Sequence, residues 1–345
     1  MSGGEFLRAL PKIELHVHLE TSLRLRRLLS DRDDPDPLEP HLVADPSRFA
    51  GYDRLRRLRY AGRAGKIPDR LYTPDNIRAI TASLLAELAA QNVRYAEVRV
   101  GGRRAFSLLG VHGVLEAMAA GMAEAERAHG IRSGIIVTVV RERGPEEGER
   151  VVREALACRD CPVVGVDVAG DEANYPPPLF ARVAALARDA GWGVTVHAGE
   201  FAGPASIWTA VYHLGAQRIG HGLRAVEDPA LLDLLRDRGI TLEVCPTSNL
   251  RLGLVPSLAH YPLRALMRHG VAVTINSDDP LLLGTTLTRE LALVREVFRF
   301  SDGDLAGFMR AAARAAFSPA RERARLGRHI DAALDAGRKA RHGCF

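Results

Sequence analysis

Eight short apolar runs, rich in valine and isoleucine, recur along this 345-residue chain and restrict the folds that it can adopt. Several of the runs are almost continuously apolar, which is typical of strands that are buried on both faces. Segments with the 3.6-residue periodicity of amphipathic helices separate them. The predicted strands are residues 13–19, 93–100, 134–140, 163–169, 193–197, 218–221, 241–245 and 271–276.

The alternation of strands and helices predicts an α/β fold with a parallel sheet, because parallel neighbours need a crossover connection between them. Eight strands are the number that closes a single (β/α)8 TIM barrel, in which active sites lie at the C-terminal strand ends. The competing fold is an open doubly wound sheet, whose site lies at a switch point between two strands. The predicted helices are residues 77–90, 111–129, 146–157, 178–190, 205–214, 229–238 and 262–268.

Two regions exceed a minimal barrel, although we expect one domain over residues 1–345. Residues 28–72 form a partly helical insertion after the first strand, and this insertion is predicted to act as a lid over the catalytic face. Residues 301–345 are rich in alanine and arginine, which predicts a helical C-terminal tail packed outside the barrel.

Composition argues against several classes of function. The net charge is +5, but the basic residues are almost all arginines, spread along helical segments near acidic residues. A nucleic-acid binder concentrates its positive charge on one face, so no nucleic-acid partner is expected. The sequence has no run of about 18 apolar residues, and its first residues lack a signal-peptide core. A cytoplasmic protein with no membrane partner is therefore the expectation.

The cysteines predict neither a zinc ribbon nor a disulfide framework. Cys158 and Cys161 have CxxC spacing, but no second pair completes a metal site. A redox pair would stand at the start of a helix that follows a strand, whereas these cysteines precede a predicted strand. We therefore expect two thiols at the end of a helix.

Histidines and acidic residues stand at the C-terminal ends of four predicted strands. His16 and His18 lie two residues apart, so both side chains point to the same face of the first strand. His197 ends the fifth strand, His221 ends the sixth, and Asp278 follows the eighth. In a closed barrel these ends meet, because the eighth strand returns beside the first. Three histidines and a carboxylate are suitable ligands for one catalytic zinc ion.

Each of these motifs alone also fits an ordinary structural role. A lone HxH pair is more often part of a core, and Asp278-Asp279-Pro280 is typical of a helix cap. Glu200 follows His197 in a loop and fits either an acid–base group or a surface carboxylate. Adjacent carboxylates repel each other unless a cation or a donor is near. The coincidence of the motifs at four strand ends, in chain order, favours a metal site.

In combination these motifs resemble the adenosine deaminase family of zinc-dependent purine deaminases. The matching stretches are PKIELHVHL (11–19), VDVAGDE (166–172), VHAGE (196–200), IGHG (219–222), EVCPTSN (243–249) and SDDP (277–280). The resemblance implies a (β/α)8 barrel that replaces the amino group at C6 of a purine with oxygen from water. Zinc would activate the water, because bound zinc lowers the pKa of water to about 7.

The resemblance also implies roles for individual residues. The implied ligands of one Zn²⁺ per chain are His16, His18, His197 and Asp278. The implied catalytic residues are Glu200, which would protonate the purine N1, His221, which would orient and help to deprotonate the water, and Asp278. The implied substrate-binding residues are His18, Glu20, Gly170 through its N–H at N3, and Asp279 at N7.

The chain departs from the family pattern in two places. Family members usually carry Asp-Gly after the first strand, and in adenosine deaminases the aspartate contacts the ribose 5′-hydroxyl; this chain has Glu20 and Thr21 instead. The family often reads Arg-x-x-Pro after the second strand, where this chain has Arg99 followed by Val-Gly-Gly and by Arg103 and Arg104. The part of the pocket beyond the ribose is therefore the open question.

The expected reaction converts an adenosine-type nucleoside into an inosine-type product and ammonia, because residues 169–172 resemble the nucleoside branch of the family more than its adenine branch. Deamination of aminodeoxyfutalosine is an alternative, since Arg103 and Arg104 would suit its carboxylate; both arginines also fit solvated surface charges. Further alternatives are a metal-dependent amidohydrolase with a non-purine substrate and a catalytically inactive binding protein of the same fold. A homo-oligomer stays open.

Overall fold

Eight parallel strands follow one another around a single sheet in chain order, so the predicted (β/α)8 barrel is confirmed. The structure, a computed structural model, describes residues 3–30 and 68–342. Most strand residues are buried on both faces, which explains their continuous apolar sequences. The strands are β1 (Lys12–His18), β2 (Val93–Val100), β3 (Arg132–Val140), β4 (Val163–Ala169), β5 (Gly193–Ala198), β6 (Arg218–His221), β7 (Thr241–Val244) and β8 (Ala272–Ile275).

Helices surround the strands and bury their apolar sides against the barrel. Most of the predicted insertion, residues 31–67, lies outside the described residues. The described helices are α1 (Gly3–Ala9), α2 (Thr21–Ser30), α3 (Pro74–Ala90), α4 (Arg103–His129), α5 (Gly144–Ala157), α6 (Ala181–Asp189), α7 (Pro204–Leu214), α8 (Pro229–Asp237), α9 (Pro246–Arg251), α10 (Leu263–Arg268), α11 (Pro280–Leu283), α12 (Leu287–Phe298), α13 (Asp302–Ala315) and α14 (Ala320–His342).

Helix α4 begins earlier than the periodicity predicts, because a kink divides it. Gly110 has φ 72° and ψ 162°, a conformation outside the helical region that glycine tolerates, and the predicted helix 111–129 is the part that follows this kink. Arg104–His129 is long and apolar enough to span a membrane by length and composition. Half of that segment is nevertheless buried within the fold, and α4 packs along α3, as a helix of a globular outer layer does.

The barrel closes between β8 and β1 through the backbone of Asp278. Its N–H donates to the carbonyl of His16 at 2.9 Å, and its own carbonyl accepts from the N–H of His18 at 2.9 Å. Helix α13 of the C-terminal tail packs outside this seam, where the N–H of Ile13 contacts Met309 Sδ at 3.4 Å. The residue that joins the last strand to the first therefore also lies beside the two histidines of β1.

The expectation of two free thiols at positions 158 and 161 is wrong in this structure. Cys158 and Cys161 are joined in a disulfide, with their Cα atoms 5.4 Å apart. Cys158 follows α5, and the turn after it is closed by the N–H of Cys161, which donates to the carbonyl of Cys158 at 3.1 Å. This turn brings the two residues within the range that a disulfide spans, which the helix-end prediction overlooked.

Candidate metal centre and active site

Three imidazoles and one carboxylate from β1, β5 and the end of β8 meet inside the barrel mouth. Nε2 of His16 and Nε2 of His18 lie 3.7 and 3.5 Å from Oδ1 of Asp278. The ring centroids of His16 and His197 are 4.6 Å apart. Gly220 on β6 leaves room for this approach, because a Cβ there would lie 3.1 Å from the His16 ring and 3.2 Å from the His197 ring. The structure thus brings the predicted ligand set together.

The chemistry of these atoms fits a zinc ion. One ligand atom each from His16, His18 and His197 lies within 4.8 Å of the others, and all three residues are buried. Nε2 of His16 is buried and has no hydrogen-bond partner among the described residues, which a polar atom rarely tolerates without a further ligand. Burial lowers the pKa of His16 well below its usual value, so its imidazole is neutral, as metal binding requires. Nitrogen ligands with one carboxylate are typical of catalytic zinc sites.

Two buried carboxylates form hydrogen bonds with Nδ1 of two of the candidate histidine ligands. Nδ1 of His16 lies 2.9 Å from Oε2 of Glu243, and Nδ1 of His197 lies 3.0 Å from Oδ1 of Asp167. Each Nδ1 donates its proton to a carboxylate, which leaves the Nε2 lone pair for a metal and fixes the orientation of the ring. Sequence reasoning missed these two roles. The available signal was a charged residue within each apolar strand, Asp167 in β4 and Glu243 in β7.

His221 ends β6 in a different environment. Asn249 Nδ2 donates to Nδ1 of His221 at 3.1 Å, and the hydroxyl of Tyr261 donates to Oδ1 of Asn249 at 2.7 Å, which fixes the orientation of the amide. Burial lowers the pKa of His221 well below its usual value, so the ring is neutral and its proton lies on Nε2. Nε2 is 3.5 Å from Oε1 of Glu200 and 4.0 Å from Oδ2 of Asp278. The role of Asn249 was also missed from the sequence.

The loop that carries Glu200 is anchored by a second glutamate. The carboxylate of Glu172 accepts from four consecutive backbone N–H groups, at 2.6 Å from Gly199, 3.1 Å from Glu200, 2.8 Å from Phe201 and 3.1 Å from Ala202. Glu172 is itself buried. A single carboxylate therefore holds the whole turn in place and positions the Glu200 side chain beside His221.

Two of the predicted substrate-binding residues lie at the same barrel face. Gly170 follows β4 with φ 118°, a conformation that residues with a side chain rarely adopt, which favours glycine there. Asp279 follows Asp278 and is buried at the start of α11. The contacts of both residues with a substrate remain a prediction.

Glu20 is held by the protein itself. Its side chain is 2% exposed, and its carboxylate accepts from the N–H of Leu282 at 3.1 Å and lies 3.6 Å from the guanidinium of Arg24. Arg104, at the start of α4, is half-exposed and forms an ion pair with Asp69. The side chain of Arg103 lies outside the described residues. The structure thus gives Glu20 and Arg104 partners within the chain.

Backbone strain is concentrated at the same strand ends. Glu20, His221 and Asp278 have φ values of 52°, 62° and 61°, which non-glycine residues adopt at a cost of about 1–3 kcal/mol each. Such conformations persist where the surrounding structure determines them, and they cluster at active sites. Here they turn the chain at the ends of β1, β6 and β8, so that the side chains face one another across the barrel mouth.

Known proteins match this chain along most of its length. The family model for adenosine deaminase matches residues 11–333. An adenine deaminase from Sinorhizobium fredii is 38% identical over 332 residues, which cover 93% of this chain and 99% of the relative. An adenosine deaminase from Klebsiella pneumoniae is 34% identical over 293 residues, which cover 82% of this chain and 86% of the relative.

A solved structure that contains zinc shares this fold. An amidohydrolase from Burkholderia ambifaria with bound zinc aligns with a TM-score of 0.83 and 29% identity, covering 97% of this chain and 95% of that chain. Extensive sequence matches to deaminases and the matching barrel together identify the chain as a hydrolase acting on C–N bonds. The chain belongs to the adenosine deaminase family.

Proposed function

We propose that this protein catalyses the zinc-dependent hydrolytic deamination of an adenosine-type nucleoside, releasing ammonia and an inosine-type product. The observation that carries the proposal is the arrangement of Glu200 and His221 beside Asp278, next to the imidazoles of His16, His18 and His197. A metal site alone would serve many hydrolyses. A carboxylate and a neutral imidazole beside the same aspartate are what proton transfer to a purine requires.

His16, His18, His197 and Asp278 would hold one zinc ion per chain. When bound, zinc would supply the Lewis acid that makes a water molecule nucleophilic at neutral pH. The carboxylates of Glu243 and Asp167 would keep the ligand rings in the correct tautomer and raise their basicity. All four ligands lie at the C-terminal strand ends, where barrel enzymes carry out their chemistry.

Glu200 would donate a proton to the purine N1, since its loop is rigidly anchored by Glu172 and its carboxyl faces the site. His221 would donate a hydrogen bond from Nε2 and orient the attacking water, because Asn249 occupies its other nitrogen. This assignment refines the sequence expectation, in which His221 also helped to deprotonate the water. Asp279 and the N–H of Gly170 would bind N7 and N3 of the purine, and His18 would line the same pocket.

Free adenine is the second candidate substrate. It is favoured by the Sinorhizobium relative, which is called an adenine deaminase and aligns over more of this chain than the Klebsiella adenosine deaminase does. Glu20 also bears on the choice, because its carboxylate is engaged by Leu282 and Arg24 rather than presented to a ribose hydroxyl. Aminodeoxyfutalosine has less support, because Arg104 is paired with Asp69.

A substrate panel tests the proposal. Zinc-loaded protein is incubated with adenosine, adenine and aminodeoxyfutalosine, and ammonia release gives kcat/KM for each. We expect adenosine to reach about 10⁶ M⁻¹s⁻¹, within the usual range for enzymes, and to exceed adenine at least tenfold. A preference for adenine or aminodeoxyfutalosine would replace the nucleoside assignment, and no ammonia from any of the three would overturn purine deamination.

Cytoplasmic location and a homo-oligomeric state stay predictions from the sequence. Cell fractionation would measure the first, and light scattering of the purified protein would measure the second. The catalytically inactive alternative is disfavoured by the chain itself, which retains Glu200 and every candidate ligand as buried residues, with His16, His18 and His197 close to one another.

A further inference from the structure

Arg99 lies on β2 at the base of the histidine cluster and is completely buried. Its guanidinium donates hydrogen bonds to two carboxylates and to one backbone carbonyl. Nε donates to Oδ2 of Asp167 at 3.1 Å, and Nη2 donates to Oε2 of Glu243. Nη1 donates to the backbone carbonyl of Leu15, the residue before His16 on β1. Arg99 therefore joins β2 to β1, β4 and β7 in the barrel interior.

The two carboxylates that Arg99 binds are the ones that hold His16 and His197. Oε2 of Glu243 accepts from Nδ1 of His16 at 2.9 Å, and the carboxylate of Asp167 lies 3.0 Å from Nδ1 of His197. One planar guanidinium thus stands behind two imidazoles that come from β1 and β5, with one carboxylate between it and each ring. None of the roles that the family resemblance implied includes this residue.

We propose that Arg99 is a positioning residue for the metal, which sets the orientation of two histidine ligands through Glu243 and Asp167. The inference rests on the proposed zinc binding. A rotated carboxylate would no longer accept from Nδ1, and the histidine would lose its fixed tautomer. The guanidinium of Arg99 donates to both carboxylates from fixed directions, which prevents this rotation.

Lysine cannot replace this geometry. An ammonium group is a compact point charge on a flexible stem, whereas the guanidinium offers donors in fixed directions to separate acceptors. A lysine at position 99 would keep the positive charge but would hold one carboxylate at the expense of the other. The Arg99→Lys variant therefore separates orientation from charge.

Arg218 provides a matched control. It is also buried, lies on β6, and contacts the same Glu243, with Nε 2.6 Å from Oε1. That oxygen is not the one that faces His16. The other acid partner of Arg218 is Glu97, at 2.6 Å, deeper in the barrel. Removing Arg218 therefore disturbs a buried ion pair of similar kind while leaving the contacts of Arg99 to Asp167 in place.

The experiment compares Arg99→Lys, Arg99→Gln and Arg218→Lys with the wild-type holoenzyme. Zinc release into excess chelator, zinc content, kcat and KM are measured, together with the thermal midpoint of each apoprotein. We expect Arg99→Lys to release zinc about 10–100 times faster, the range for the loss of an outer hydrogen-bonded partner, and to lower kcat more than it changes KM. Arg218→Lys should release zinc within threefold of the wild-type rate. Arg99→Gln adds the loss of charge and should release zinc at least as fast.

Double variants make the test independent of overall stability. Arg99→Lys combined with Asp167→Asn, or with Glu243→Gln, should release zinc no faster than the faster single variant, because each pair acts through one chain of contacts. The proposal is overturned if Arg99→Lys keeps the wild-type release rate, or if Arg218→Lys releases zinc equally fast. Zinc release needs no substrate, so it tests Arg99 even where purine deamination fails; a wild-type protein that binds no zinc would instead overturn the proposed function.

Discussion

Two groups of histidines at the barrel mouth are held by opposite hydrogen bonds. At the ends of β1 and β5, Nδ1 of His16 and of His197 donates to a buried carboxylate, which leaves Nε2 as an acceptor. At the end of β6, Nδ1 of His221 accepts from the amide of Asn249, which leaves the proton on Nε2. Identical side chains are thereby given opposite character, one kind suited to a metal and the other to hydrogen-bond donation.

Asp278 lies beside histidines of both groups. Its Oδ1 lies 3.7 and 3.5 Å from the Nε2 atoms of His16 and His18, and its Oδ2 lies 4.0 Å from Nε2 of His221. One oxygen of this carboxylate thus faces the candidate metal ligands, and the other faces His221. The hydrogen-bond partner of Nδ1, rather than the histidine itself, therefore determines whether Nε2 is suited to bind a metal or to donate a hydrogen bond.

Asp278→Ala should have the largest effect, because it removes the carboxylate that lies beside both groups of histidines. We expect zinc content to fall well below one per chain and deaminase activity to fall with it. Elemental analysis of the dialysed protein measures the first, and ammonia release measures the second. Asp279→Ala is the matched control and should keep zinc while raising KM. Full zinc content in Asp278→Ala would assign the fourth ligand to another residue.

Glu200→Gln should lower kcat by about 10²–10⁴, because it removes a proton donor and no ligand. Zinc content should stay at the wild-type level, which separates this variant from Asp278→Ala. Glu227→Gln, on an exposed glutamate paired with Arg224, is the control for the loss of a carboxylate. Activity within threefold of wild type in Glu200→Gln would refute the assigned role.

Substituting the hydrogen-bond partners of His16 and His221 tests the difference between the two groups of histidines directly. Glu243→Gln should weaken zinc binding about 10–100-fold, because an amide no longer holds His16 as a carboxylate does. Asn249→Asp should place the proton of His221 on Nδ1 and lower kcat about tenfold or more, while zinc binding stays unchanged. Metal titration measures the zinc affinity of both variants, and steady-state kinetics measure their kcat. Equal effects of the two substitutions on zinc affinity would show that the two groups of histidines are not distinct.

Glu290 gives the smallest expected effect, on stability alone. It is buried on α12 and accepts from the N–H of Thr247 at 3.0 Å, two residues before Asn249. Burial raises its pKa above the ordinary value of 4.5, so the folded protein binds more protons than the unfolded chain above that pH. The free energy of unfolding should therefore fall as pH rises above 4.5. Urea unfolding between pH 4 and 8 should show a flatter dependence in Glu290→Gln, and equal slopes would contradict this.

The sequence predicts the strands well because burial on both faces leaves a continuous apolar pattern, as in β4 and β5. It also places His16, His18, His197 and Asp278 at strand ends, and the closed barrel alone is then sufficient to bring them together. Helix α4 begins eight residues early, since a short helical stretch precedes the kink at Gly110 and the predicted helix follows it.

The partners of the histidines could not be predicted in the same way. Asp167, Glu243 and Asn249 are matched to their histidines by the register between strands and by the rotamers of long side chains, neither of which a local pattern records. Arg99 was visible in the sequence as the arginine of the Arg-x-x-Pro pattern, but its partners were not. The Cys158–Cys161 disulfide was missed because it depends on the geometry of one turn.

The most direct test of the central claim is metal analysis combined with ammonia release on one sample of purified protein. Chelation should remove one zinc per chain and abolish release of ammonia from a 6-aminopurine, and one equivalent of zinc should restore it. Deamination that persists in the zinc-free protein, or a zinc-loaded protein that releases no ammonia from adenosine or adenine, would contradict the account.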